Sequence, residues 1–97
     1  MEPTLTPADR RRLKGTAQRL EATLKVGHQG LSESFLAEVD RELVLRELIK
    51  IKFSDFKEEK KELAAKIAET TGSALLQIVG HVAVFYRPKP KQPKAEA

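Results

Sequence analysis

Three features of the sequence predict an α/β fold, with elements in the order α-β-α-β-α-β-β and a four-stranded mixed sheet. "ELIKIKF" alternates Ile49, Ile51 and Phe53 with Lys50 and Lys52, the period of a strand with one wet face. Ala74 to Val79 and Val82 to Tyr86 are β-rich runs separated by Gly80-His81, a two-residue hairpin signal with glycine first. Between the strand-like runs lie capped segments whose apolar residues recur at helical spacing. The 97 residues, 40% hydrophobic, suffice for one core and not for two. The expected organisation is a tail over 1-4, a domain over 5-88 and a basic Pro/Lys-rich tail over 89-97.

Each element has its own signal. Thr6-Pro7-Ala8-Asp9 supplies an N-cap hydroxyl, a proline at the first helical position and an acid three residues after the cap, so a helix is predicted from about Pro7 to Glu21. Leu13, Ala17 and Leu20 share its apolar stripe; Arg11 and Lys14 point away and Arg12 and Arg19 flank. Thr23 to Val26 is short and β-compatible. The loop Gly27-His28-Gln29-Gly30 follows, and Leu31-Ser32 with Leu36 has the spacing of a hydrophobic staple around a serine cap. Phe35, Val39 and Leu43 continue that helix. Asp55-x-x-Glu58 resembles a capping box opening a third helix, whose Phe56, Leu63, Ala64 and Ile67 are expected to face inward and which Gly72 stops.

Composition narrows the function. There is no cysteine, which removes disulfides and thiolate chemistry together. No apolar run has the length of a membrane span, and the polar start has no signal-peptide core, so a cytoplasmic protein is expected. The net charge is +4, but residues 1-30 and 73-97 are each basic while 31-72 are slightly acidic. Basic ends suit a polyanionic partner, although a solvated basic surface accounts for the same numbers.

If the second and third helices are crossovers between parallel strands, the first three strands finish at one sheet edge. The Gly27–Gly30 loop and the Gly80-His81 turn then meet there. A tight connection would bring the Arg10-Arg11-Arg12 start of the first helix towards the same edge, where open α/β sheets tend to bind ligands.

A G-x-x-G loop lets a backbone approach a phosphate closely, and the helix start behind it adds free N–H groups. Such loops clamp nucleic-acid backbones in KH domains, yet an isolated one is more often a connector. Exposed aromatic stacking partners are scarce, because Phe35, Phe53, Phe56, Phe85 and Tyr86 are mostly in core phase. His28 and His81 belong to no metal-ligand spacing, and no nucleophile or Walker motif is present. No enzyme, metal or cofactor is therefore expected. The candidate contacts are Gly27, His28, Gln29, Gly30, Arg11, Arg12, Lys14, Arg19, Lys25, Lys50, Lys52 and His81.

"LTPADRRRLKGTAQRL", "VGHQGLSESFLAEVDREL", "ELIKIKF" and "IVGHVAVFYRP" resemble, in order and spacing, the CRM domain (chloroplast RNA splicing and ribosome maturation) in its stand-alone bacterial, YhbY-type form. The resemblance covers about residues 5 to 88. It implies a fold similar to the C-terminal domain of translation initiation factor 3 and an RNA-binding surface that includes Gly27 to Gly30. It also implies association with rRNA of the precursor large ribosomal subunit, in a monomer that can also meet ribosomal proteins. Here His28 stands where the family often has lysine or another residue, His81 where the last hairpin often has a basic residue, and Glu21 where a basic residue is usual. The alternative is a module that docks on a ribosomal protein or assembly factor, with RNA contacts incidental.

Overall fold

The computed structural model describes residues 4–88, so the expected 89-97 tail and nearly all of the 1-4 tail lie outside the described residues. The elements are α1 (Pro7–Ala17), β1 (Leu24–Val26), α2 (Glu33–Arg46), β2 (Leu48–Phe53), α3 (Lys60–Thr71), β3 (Ala74–Val79) and β4 (Val82–Tyr86). The sheet order is β1-β2-β4-β3. β1 pairs parallel with β2, while β4 is antiparallel to both β2 and β3. The first three strands therefore run the same way and finish at one edge, as the crossover argument predicts.

The strand alternation sorts side chains between two cores. On one face Ile49, Ile51 and Phe53 of β2 join Val26, Ala83 and Phe85 under Val39 and Leu43 of α2 and Ala64 and Ile67 of α3. Each of the larger of these contributes about 1.5–3 kcal/mol on full burial. Leu31 and Leu36 both pack against this cluster, as the staple spacing requires. On the other face α1 lays Leu13 and Ala17 over Leu48, Ala74, Leu76 and Val84. A bulge between Leu75 and Gln77 lets β3 serve both cores, with Leu75 and Ile78 turned to the first and Leu76 to the second.

The caps at the first two helices form as the sequence predicts. Thr6 Oγ1 accepts from the Asp9 amide at 3.0 Å and the Thr6 amide donates to Asp9 Oδ2 at 3.2 Å. The Thr6 amide, then its hydroxyl and the Arg12 guanidinium, hold the Asp9 carboxyl below its ordinary value. Ser32 Oγ accepts from the Phe35 amide at 3.2 Å.

Three expectations are corrected. First, α1 ends at Ala17 rather than Glu21. Arg19 and Leu20 close short turns onto Thr16 and Ala17, and the Lys50 ammonium takes the carbonyls of Ala17 and Leu20 at 3.1 and 2.9 Å. Leu20, expected in the core stripe, is exposed. Second, the α1 face of β2 is covered rather than wet: Leu48 is buried and Lys50 half-buried. Third, Asp55 and Glu58 form no capping box. The amides of Ser54 and Asp55 both donate to the Val26 carbonyl at 3.1 Å, which pins the chain over β1. It then passes through a single 3-10 turn, Lys57–Glu59, before α3 starts at Lys60. Phe56, expected inside, is 41% exposed.

Where the parallel strands begin, one arginine ties the layers together. Arg87 Nη1 donates to Asp40 Oδ1 at 2.7 Å and to the Thr71 carbonyl at 2.6 Å, and its own amide donates to the Glu47 carbonyl. The two crossover helices are thus fastened to the end of β4.

Candidate nucleic-acid interface

The loop after β1 is a closed turn, since the Gly30 amide donates to the Gly27 carbonyl at 3.0 Å. Its glycines are not equivalent. Gly30 takes φ +66, a left-handed conformation that other residues adopt at a cost of about 1 kcal/mol, whereas Gly27 is not among the positive-φ residues. A Cβ built on Gly27 would meet nothing within 4 Å. The fold therefore needs glycine at 30 and leaves open space at 27. His28 and Gln29 are exposed at the tip.

Behind the turn, α2 begins with Ser32 Oγ already engaged by the Phe35 amide, and the Glu33 and Ser34 amides have no acceptor among the described residues. A depression of about 290 Å³ is lined by Lys25, the four loop residues, Ser32, Ser34, Phe35 and Glu38. Glu38 is the one carboxylate in that lining.

Beside the loop lies a group of cations. Lys25 and Lys52 are register partners across β1 and β2. The Phe53 amide donates to the His81 carbonyl at 2.7 Å, which sets the β3–β4 turn against the end of β2. Gly80 supplies the positive φ of that turn. The Lys60 ammonium donates to the Gly80 carbonyl and lies 3.2 Å from His81 Nδ1. An ammonium can donate there only to a neutral ring. Loss of hydration at the turn, then the charges of Lys60, Lys57 and Lys52, hold His81 below its ordinary value. Among the described residues, no carboxylate forms an ion pair with Lys25, Lys52, Lys57 or Lys60.

The loop and the Gly80-His81 turn come to one edge as the strand directions require, with Lys25 and Lys52 on the strands that finish there, whereas the arginines of the first helix lie outside the loop's depression. α1 packs over β2 and β3 on the opposite face instead of lying along β1, and Arg11, Arg12 and Lys14 line no part of the loop's depression. Arg12 is paired with Asp9 at 3.3 Å, and Arg19 sits exposed in the turn after α1. Lys50 closes the end of that helix. Lys57 and Lys60 escaped the sequence reading because their Lys/Glu-rich surroundings match an ordinary solvated helix face. Only the pinning of Ser54 and Asp55 on Val26 and the 3-10 turn that follows bring them to the edge.

Phe56 escaped for a related reason. It holds φ 57 and ψ 38, an outlier for a bulky residue that costs on the order of 1–3 kcal/mol. A Cβ on Gly30 would lie 3.5 Å from its Cε2. The ring is therefore set beside the loop.

Among the described residues, no group of three or more His, Asp or Glu could share a metal ion, and no helix is long and apolar enough to cross a membrane. The chain is 38% identical over 86 residues to an RNA-binding protein of Haemophilus influenzae, covering 88% of this chain and 87% of that one. It is 33% identical over 91 residues to a protein of Pseudomonas aeruginosa named a probable RNA-binding protein, covering 93% and 88%. The solution structure of a hypothetical Staphylococcus aureus protein, described as a candidate RNA binder, superposes with a TM-score of 0.77 at 32% identity, over 92% of this chain and 94% of that one. With the CRS1/YhbY (CRM) domain model matching residues 5–87, the chain belongs to the CRM domain family.

Proposed function

We propose that this protein binds RNA at the edge where β1, β2 and β3 finish, as a cytoplasmic monomer that associates with rRNA of the precursor large ribosomal subunit and assists its assembly. The observation that carries the reading is the set of uncompensated cations, Lys25, Lys52, Lys57 and Lys60, beside a glycine turn and two free helix-start amides. Phosphates satisfy both kinds of donor at once. The names of the relatives in Haemophilus influenzae and Pseudomonas aeruginosa support the same partner class. Arg11, Arg12, Lys14 and Arg19 serve as longer-range attraction on the other face.

Filter binding of large-subunit rRNA fragments over a salt series tests the reading. Four neutralised phosphates on single-stranded RNA give a slope of log K against log salt near about −3, at roughly −0.7 per phosphate. A slope near zero rejects the surface.

Exposed Val44 and Leu45 on α2, well away from the cations in the chain, favour a second reading in which a ribosomal protein or assembly factor docks there. Crosslinking in cells separates the two: RNA adducts at Lys52 and Lys57 support the first, and protein adducts confined to α2 support the second.

A further inference from the structure

We propose that Phe56 is a stacking platform for one unpaired base of the bound RNA, between the Gly27–Gly30 turn and the lysines at the start of α3. The assignment rests on the RNA reading above and adds to it a base subsite.

Phe56 is a large aromatic left 41% exposed in a backbone conformation that disfavours it. Core packing does not explain the residue, because it belongs to neither buried cluster nor to the side chains packed against them. The pose is nonetheless held. The Ser54 and Asp55 amides fix the chain ahead of it on the Val26 carbonyl, and the Glu59 amide donates to the Phe56 carbonyl at 3.0 Å. A Cβ built on Gly30 would lie 3.5 Å from Cε2 and 3.8 Å from Cζ, ordinary van der Waals contact, so the edge of the ring stands beside the turn. The ring thus borders the glycine that closes the turn.

The surroundings select the occupant. Lys57 follows in sequence, and Lys52 and Lys60 lie close enough to act on His81 along with it. A nucleobase arrives with phosphates on either side for these cations and for the loop amides, whereas an apolar peptide side chain would leave the cations unanswered. Single-strand binders combine a cationic track with aromatic faces in this way, and stacking tolerates any base because each has a π-face.

The chain contains no tryptophan, so F56W introduces a sole indole reporter at the site. Binding is measured for a single-stranded oligoadenylate and for an abasic oligonucleotide of the same length. F56A should weaken oligoadenylate binding about 10-fold and leave the abasic strand unaffected. F56L should behave like F56A, while F56W should retain affinity and lose fluorescence with oligoadenylate only. F56G should melt no lower than the parent, because glycine accepts φ 57 freely, and should bind as weakly as F56A. Equal losses on both strands, full affinity in F56L, or parental affinity in F56A would each overturn the platform. A parent that binds neither strand would overturn the RNA reading itself; salt-dependent parental binding that F56A does not change removes the platform alone.

Discussion

The two ends of the sheet use charge in opposite ways. Where the parallel strands begin, Arg87 is engaged by a carboxylate and two carbonyls from α2 and α3, so its charge is consumed by the fold. Where they finish, Lys25, Lys52 and Lys57 have no carboxylate partner among the described residues, and Lys60 leans on a carbonyl and a neutral imidazole. A cation answered internally holds layers together; one left unanswered raises the local potential and is available to a polyanion. The lesson is that net charge says little until the partners are known.

The comparison breaks most visibly with paired substitutions. K52E with K57E should cost roughly 100-fold in RNA affinity, at about 1.4 kcal/mol for each lost phosphate contact, and flatten the salt slope by about 1.4. Its melting temperature should not fall, since neither side chain makes a hydrogen bond or ion pair among the described residues. R87A should do the reverse, losing about 1–3 kcal/mol of stability in urea unfolding while RNA affinity stays put. If both variants lose affinity and stability together, the two ends are not functionally separate.

The loop glycines sharpen the contrast within the binding end. G30A should destabilise by about 1 kcal/mol, because φ +66 is unfavourable with a Cβ. G27A should melt with the parent, there being open space for its methyl, yet bind RNA several-fold more weakly if a phosphate rests on that backbone. Calorimetry and anisotropy on the same two samples check this. An unchanged affinity in G27A would remove close approach at that position.

The smallest effect belongs to His81. Loss of hydration at the turn, then the charges of Lys60, Lys57 and Lys52, keep the free imidazole below its usual pKa of about 6.5. A phosphate nearby favours the protonated ring, and affinity should therefore rise as pH falls, by about 2- to 5-fold, mostly below about pH 6.5. In H81N the rise should disappear. A parent whose affinity is flat with pH at constant salt would place His81 outside the interface.

Much of this architecture is legible in the sequence because local signals agree with the global fold. Ile49, Ile51 and Phe53 alternate as they pack, Thr6 with Asp9 and Ser32 cap as their spacing suggests, and Gly80 turns the hairpin. The site was less legible where a local pattern lost to a tertiary constraint. Asp55-x-x-Glu58 has the spacing of a cap, but the Val26 carbonyl captures two amides first, and the displaced helix start turns Phe56 outward and sets Lys57 and Lys60 beside His81. Lys50 alternates like a solvated residue, yet α1 covers that face and requires an ammonium for its last carbonyls. Neither outcome has a signature within a few residues along the chain.

β1 is only three residues long and, among the described residues, pairs with β2 alone, so its outer row of backbone groups faces away from the sheet. Unprotected rims of this kind invite another chain to add a strand, and natural sheets discourage it with brevity and with lysine. Lys25, at the centre of β1, meets both conditions. Its charge therefore bears on the free protein as well: replacing Lys25 with an apolar residue should raise self-association at high concentration, read by light scattering, even before any RNA is added.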